Sequence, residues 1–365
     1  MSIVTDPSIE DIKLKNKILK NIEKIFYSKN YILGNNVSLF EKEYAKFCGS
    51  KYALGVNSGT DALIISLMSK NIGTGDEVIV TAHSASGTAT AIKLLGAKPV
   101  FIDIDDNFYL INPDEIEKKI TKKTKAIVAV HIYGQSCDMD KILNIAKRFK
   151  IIVIEDCAQA HGTLYKNKHV GNYGVLGCFS FYPTKNLGAI GDAGCIVTNN
   201  KNVFKKIKAL REFGWFKKFN SVLNGVNSRM DEIQASILRI KLKRLKFYNL
   251  YRKKIANYYF SELSCVKQII LPKIYNKSNH VFHQFVVRVP HSHRNKLIEY
   301  CKKDNIILGI HYPVPLHKQK AFSCKKEKIP MAEKISKEII SLPIFTYFKL
   351  QDQKKVITSI KNYFK

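Results

Sequence analysis

Val175-Leu176-Gly177-Cys178-Phe179-Ser180-Phe181-Tyr182-Pro183-Thr184-Lys185-Asn186-Leu187-Gly188 is an apolar run that ends by delivering a lysine into a turn closed by glycine. Residues 175–180 read as a buried strand, so Lys185 is carried past a strand end toward a cleft. A second apolar run, Ile151-Ile152-Val153-Ile154-Glu155-Asp156, ends on a carboxylate 29 positions before that lysine. Upstream, the pattern alternates between the two periodicities. Residues 57–68 open on Asn57-Ser58-Gly59-Thr60-Asp61 and continue as an apolar helix; 77–81 is a strand, 88–95 a helix, 99–104 and 126–132 strands, and 140–149 a helix. Strands alternating with helices, and apolar throughout, predict an α/β fold with a mostly parallel sheet covered on both faces. Ligands of such sheets bind outside the carboxyl ends of the strands. Residues 57–60, Asp156 and Lys185 all fall at those ends.

The flanks extend this frame. Residues 9–27 and 37–47 predict helices, and 230–259 predicts one long helix leading out of the sheet. Beyond it lie a strand over 283–289, a helix over 294–303 and the proline-punctuated Tyr312-Pro313-Val314-Pro315-Leu316. The expected division is a large domain over 1–245, with a helical N-terminal segment, and a smaller C-terminal α/β domain over 246–365. No internal repeat interrupts either part.

The chain has 365 residues, 45% of them hydrophobic, which is ample for a large core, and a net charge of +30 from 60 Lys+Arg against 30 Asp+Glu. That charge favours nucleic acid, anionic membrane or a phosphorylated ligand. The lysines, however, are scattered singly and in pairs (118–119, 122–123, 205–206, 217–218), with a denser stretch over 241–254, and no nucleic-acid-binding motif accompanies them. Specific nucleic-acid binding is therefore not expected. Eight cysteines lack a CxxC pair or zinc spacing, so no metal site is implied and a reducing compartment is the simplest reading. Residues 1–15 lack an apolar signal core, and no stretch approaches ~20 apolar residues. A cytoplasmic protein with no membrane partner is expected.

The chemistry suggested by Lys185 depends on its protonation. A lysine amine condenses with a carbonyl only when deprotonated, and desolvation lowers its pKa from about 10.4. In a chain so rich in lysine the alternative is a surface lysine with Asp156 as a simple cap. Together, though, an aldehyde-binding lysine and a carboxylate facing a pyridinium nitrogen are the protein's two main contributions to pyridoxal 5'-phosphate (PLP) chemistry. Ser58-Gly59-Thr60, at a helix start, offers amide donors and a hydroxyl to a phosphate, although the same sequence also serves as an ordinary cap. Gln159, three residues after Asp156, would reach the cofactor's phenolic oxygen, and Ser180 would add a phosphate contact.

Four motifs in order give these residues a wider context: Glu155-Asp156-Cys157-Ala158-Gln159-Ala160-His161-Gly162; Ser180 to Gly188; Gly191-Asp192-Ala193-Gly194; and Asn227-Ser228-Arg229-Met230-Asp231-Glu232-Ile233-Gln234-Ala235. The chain resembles, over nearly its whole length, the DegT/StrS-type nucleotide-sugar aminotransferases. The resemblance implies a fold-type I PLP enzyme acting as a homodimer with active sites at the subunit interface. It makes Lys185 the lysine that binds the cofactor's aldehyde, Asp156 the pyridinium partner, and Gln159 the ring-oxygen contact. Gly59, Thr60 and Ser180 become phosphate contacts, and Asn227 a phosphate contact reaching into the partner subunit's site. L-glutamate is the implied amino donor. One departure is Ala85, where many relatives place an aromatic residue that stacks on the cofactor ring; the nearby His83 has two readings, a ring that replaces it or a histidine that only hydrogen-bonds backbone.

Gly309-Ile310-His311-Tyr312-Pro313-Val314-Pro315-Leu316-His317 resembles a segment of members that aminate C3 of a nucleotide-linked 3-keto-sugar. By that likeness the substrate is a dTDP-3-keto-6-deoxyhexose, and His311, Tyr312 and His317 contact sugar or diphosphate. A proline-rich domain edge with structural histidines is the alternative. The rival activities are amination at C4, sugar 3-dehydration, and a non-catalytic basic regulator. Dehydratase relatives carry histidine at the lysine position, and this chain has Lys185.

Overall fold

The computed structural model describes residues 4–9, 11–322 and 327–365; Cys324 lies outside the described residues. Two helices, α1 (Ile12–Ser28) and α2 (Asn35–Cys48), precede the alternating region. That region runs β1 (Tyr52–Val56), α3 (Gly59–Ser69), β2 (Glu77–Thr81), α4 (Ser86–Leu94), β3 (Lys98–Ile102), α5 (Pro113–Ile116), β4 (Thr124–Val130), α6 (Met139–Phe149) and β5 (Ile152–Asp156). A small hairpin, β6 (Leu164–Tyr165) and β7 (Lys168–His169), leads to β8 (Leu176–Ser180), β9 (Gly194–Thr198) and α7 (Lys201–Arg211). A second hairpin, β10 (Trp215–Lys217) and β11 (Asn220–Ser221), precedes α8 (Glu232–Leu242) and α9 (Leu245–Leu263). The chain ends with β12 (Phe285–Arg288), α10 (His291–Lys303), α11 (Pro330–Glu338), β13 (Ile339–Leu342) and α12 (Leu350–Tyr363).

Local chemistry explains the boundaries. The Asp138 carboxylate caps α6 by accepting the Lys141 amide at 3.2 Å, and α6 buries Met139, Ile142, Ile145 and Ala146, one face of a 3.6-residue period. Strand β2 is buried at all five positions, as a central strand covered on both faces must be. The seven-stranded sheet has the order β1-β9-β8-β5-β4-β2-β3. Pairs β2–β3, β2–β4, β4–β5 and β5–β8 are parallel; β9 runs antiparallel to both β8 and β1.

Two features depart from the sequence reading. Strands β1 and β9 and helix α7 were not foreseen, and β9 reverses the sheet direction. The expected single helix over 230–259 is two helices, broken at Lys243–Arg244. Ala235, Leu238 and Leu245 belong to the core around the sheet, whereas Ile255, Ala256, Tyr259 and Leu263 belong to a second core with Phe285, Val287, Leu297 and Val356, so α9 starts in the first core and ends in the second. The second core is not the whole of the C-terminal segment, because Leu316, Phe322, Ile329, Ala332 and Ile335 pack into the first.

Candidate active site

The carboxyl ends of β1, β2, β4, β5 and β8 open on one edge of the sheet, and the antiparallel β9 begins there. Val56 pairs with Gly194 and Gly194 with Ser180. Helix α3 starts at this edge. Its cap Ser58 accepts the Asp61 amide at 3.0 Å, leaving the amides of Gly59 and Thr60 at an open helix N-terminus. Ser228 secures this end by accepting the Asn57 amide at 3.1 Å and donating to the Asp61 carboxylate at 2.8 Å. The neighbouring Asn227 is exposed, and its side chain has no hydrogen-bond partner among the described residues.

Lys185 is half-buried and opens on the same edge. Burial lowers its amine to about 8, while the Asp156 carboxylate acts in the opposite direction. Its amine has no hydrogen-bond or ion-pair partner among the described residues. Three histidines crowd it from different parts of the chain: His161, His283 and His311. Burial lowers the imidazole of His161 to about 3 and of His311 to about 4, and pushes His283 well down, with Lys185 contributing in each case. The three rings near the amine are therefore neutral and bring no competing charge. His161 is held between the Tyr44 hydroxyl at 2.9 Å and the Ser180 carbonyl at 2.7 Å, and His283 contacts Asn186 at 3.2 Å.

Asp156 is buried at the end of β5, where it accepts the Thr88 hydroxyl at 2.7 Å and the Ala158 amide at 3.1 Å. Gln159 accepts the Tyr133 amide at 2.6 Å and donates to the Tyr312 hydroxyl at 2.9 Å. Tyr133, left-handed at φ 60°, also donates its hydroxyl to the His311 carbonyl and meets His83 Nε2 at 2.6 Å. Since that hydroxyl proton is committed to His311, His83 Nε2 is the donor, and its other nitrogen is a buried acceptor without a partner among the described residues. His83 is thus tied to Tyr133, and Ala85 stands at the N-cap position of α4 beside it. Of the three residues expected at a substrate, His311 and Tyr312 join this network. His317 instead faces Glu333 at 3.0 Å and Phe101.

Sequence reasoning missed Thr88, Tyr133 and His283, each brought in by folding from another strand end or from the second core. Only His161 carried a signal, lying within the Asp156 motif. One other cluster has metal-like spacing: His131, Glu155 and Cys157 place their ligand atoms within 4.8 Å of one another. Glu155 is occupied there by His131 and by the amides of Gly171, Tyr173 and Gly174.

The arrangement fits PLP. It holds an amine of lowered pKa without a hydrogen-bond partner among the described residues, a buried carboxylate oriented by two donors, and a helix N-terminus whose Ser58 cap takes the Asp61 amide and leaves those of Gly59 and Thr60. At that terminus a Cβ on Gly59 would come within 2.5 Å of the Ser180 Cβ, so only glycine lets the two approach.

Comparison with known proteins agrees with this geometry. The model of the DegT/DnrJ/EryC1/StrS aminotransferase family matches residues 12–361. The chain belongs to that family. It is an aminotransferase that uses PLP. The protein is similar to dTDP-3-amino-3,6-dideoxy-alpha-D-galactopyranose transaminase of Aneurinibacillus thermoaerophilus, with 44% identity over 97% of both chains. It is 40% identical to the pleiotropic regulatory protein of Geobacillus stearothermophilus, over 97% of this chain and 96% of that one. Among solved structures it resembles S. venezuelae DesV in complex with a ketimine intermediate, with a TM-score of 0.96 and 34% identity, covering 99% of this chain and 98% of that one. No helix among the described residues is long and apolar enough to cross a membrane.

Proposed function

We propose that this nucleotide-sugar aminotransferase transfers the amino group of L-glutamate to C3 of a dTDP-linked 3-keto-6-deoxyhexose. The observation that carries the reading is the convergence of His311 and Tyr312, from the segment that resembles C3-aminating members, on the network around Gln159 and Lys185. The dTDP-3-amino-sugar named for the Aneurinibacillus relative supports the same position and nucleotide. His317 would act indirectly, through Glu333, rather than at the sugar.

In this reading bound PLP supplies an aldehyde that takes up the amine and a ring that accepts an electron pair. The protein's residues do the rest. Lys185 Nζ, deprotonated near neutral pH more readily than an ordinary lysine, would take the proton from the carbon on one side of the amine nitrogen and return it to the carbon on the other side, a 1,3-shift. Asp156 holds a proton on the ring nitrogen, which keeps the ring electron-poor. The α3 amides at Gly59 and Thr60, with Ser180, anchor the phosphate. Gln159 orients the ring oxygen's side of the site and Tyr312 together. Asn227, exposed in the single chain, reaches the phosphate of the partner subunit, so the working unit is a cytoplasmic homodimer.

The test is direct. The enzyme is incubated with glutamate and either the 3-keto or the 4-keto dTDP-sugar, and the new amine is located by NMR. Amination only at C4 would refute the proposal.

A further inference from the structure

Tyr133 stands just past the end of β4 in the left-handed region, at φ 60°, a conformation that a bulky side chain adopts only where its surroundings impose it. Its surroundings do so here. The amide donates to Gln159 Oε1 at 2.6 Å, the carbonyl accepts the His283 amide at 2.9 Å, and the hydroxyl accepts from His83 Nε2 at 2.6 Å while donating to the His311 carbonyl. These partners come from the end of β5, the approach to β12, the end of β2 and the 309–317 segment. One residue thus ties together parts of the chain that are distant in sequence.

The direction of the hydroxyl is fixed. A carbonyl only accepts, so Tyr133 must donate to His311, and burial holds the phenol well above its usual pKa, so the proton is retained. The 309–317 segment is pinned elsewhere as well: Gly309 exchanges backbone hydrogen bonds with Ser341, the Leu316 amide donates to the Ala82 carbonyl, and His311 Nδ1 meets Ser341 Oγ at 2.9 Å. Between those ends, the hydrogen bonds that reach the cleft among the described residues are those of the Tyr133 hydroxyl to the His311 carbonyl and of Gln159 Nε2 to the Tyr312 hydroxyl at 2.9 Å. Both run through Tyr133. One leaves its hydroxyl, and the other passes through the carboxamide that its amide orients.

We propose that Tyr133 is the positioning residue for the sugar-nucleotide half of the reaction: its hydroxyl sets the main chain at His311, and its amide, through Gln159, sets the Tyr312 hydroxyl. The inference rests on the reading that His311 and Tyr312 face the sugar. Tyr133 itself touches neither substrate nor cofactor. Without its hydroxyl, the buried His83 Nε2–H and the His311 carbonyl lose their partner, and the middle of the segment is free to move. A misplacement of ~1 Å at a reacting group can cost about a hundredfold in rate.

Tyr133→Phe keeps the ring and removes only the hydroxyl. In crystals of the holoenzyme this variant is expected to separate Gln159 Nε2 from the Tyr312 hydroxyl beyond hydrogen-bond reach. In solution, amination of the cofactor by glutamate, followed by absorbance, should stay within about twofold of the wild-type rate, while the KM for the sugar nucleotide rises about tenfold, the effect of leaving buried polar groups unpaired. An intact glutamate half-reaction also reports a folded cofactor site. Ser341→Ala frees the His311 ring but keeps the Tyr133 bond, and should leave Tyr312 in place and both half-reactions unchanged. A segment that stays put in Tyr133→Phe, or moves as far in Ser341→Ala, would overturn the proposal, as would equal losses in the two half-reactions. The crystallographic distance does not depend on which sugar is aminated, so a failed amination assay refutes the proposed substrate and not this role.

Discussion

The Thr88 hydroxyl donates to the Asp156 carboxylate at 2.7 Å, joining the first turn of α4 to the end of β5. Neither residue could orient the other without the sheet order that sets β2 and β5 on either side of β4. The bond fixes the direction in which the carboxylate faces the cleft. Thr88→Val should lower kcat by about tenfold, the cost of leaving one charged acceptor without its donor, with the fold intact by circular dichroism. Asp156→Asn should lose at least about a hundredfold more, since it removes the charge itself; equal losses would mean that Asp156 is only structural.

Lys185→Ala should abolish turnover and the ability of borohydride to fix PLP covalently to the protein, read by mass spectrometry of the reduced sample. A yellow, active variant would contradict the assignment of this lysine.

The lowered amine gives a pH dependence with a definite sign. Lys185 is an ammonium below about 8 and a free amine above it. The rate at which apoenzyme recombines with PLP should rise with pH up to about 8 and then level off, followed by absorbance in stopped flow. An ordinary lysine would level off only near ~10.4.

Gln159 bridges the Tyr133 amide and the Tyr312 hydroxyl. Gln159→Ala leaves the buried Tyr133 amide without an acceptor and should cost about 1–3 kcal/mol of stability, measured by urea unfolding. Tyr312→Phe keeps the ring and removes only the hydroxyl. It should raise the KM for the sugar nucleotide several times more than it raises the KM for glutamate; equal effects would place Tyr312 outside the sugar site.

Glu232 is a structural counterpart, distant in role from the chemistry. Buried at the start of α8, it accepts the Asn36 amide at 2.9 Å and the Val37 amide at 2.8 Å, covering the N-terminus of α2. Glu232→Ala should destabilise the protein by about 2–4 kcal/mol, the combined loss of charged hydrogen bonds and of the favourable helix-end field. Thermal unfolding at fixed pH checks it.

The parallel core was legible because β2, β4 and β5 are continuous apolar runs separated by helical periodicity. Asp156 and Lys185 were legible for the same reason, each standing where an apolar strand stops. The antiparallel β9 was not: Gly194–Thr198 is as apolar as its neighbours, and direction leaves no trace in composition. The split of 230–259 was equally hidden, because both halves keep helical spacing. Residues such as Thr88, Tyr133 and His283 carry no local mark. They become part of the site through the sheet order and through the docking of the second core against the Lys185 loop.

The reversal at β9 has a mechanical consequence. Because Ser180 and Gly194 lie opposite one another, the thirteen residues between them leave and re-enter the sheet at one place, and the Phe181 amide bonds the Ala193 carbonyl at 2.8 Å. Lys185 therefore hangs from a loop anchored at both feet. A crossover helix would have let the lysine drift with a distant strand, but here any movement of the amine must bend a short closed arch. Lengthening that arch by a residue should change the amine's reach without disturbing the sheet, which makes its length, as much as its sequence, a property on which the active site depends.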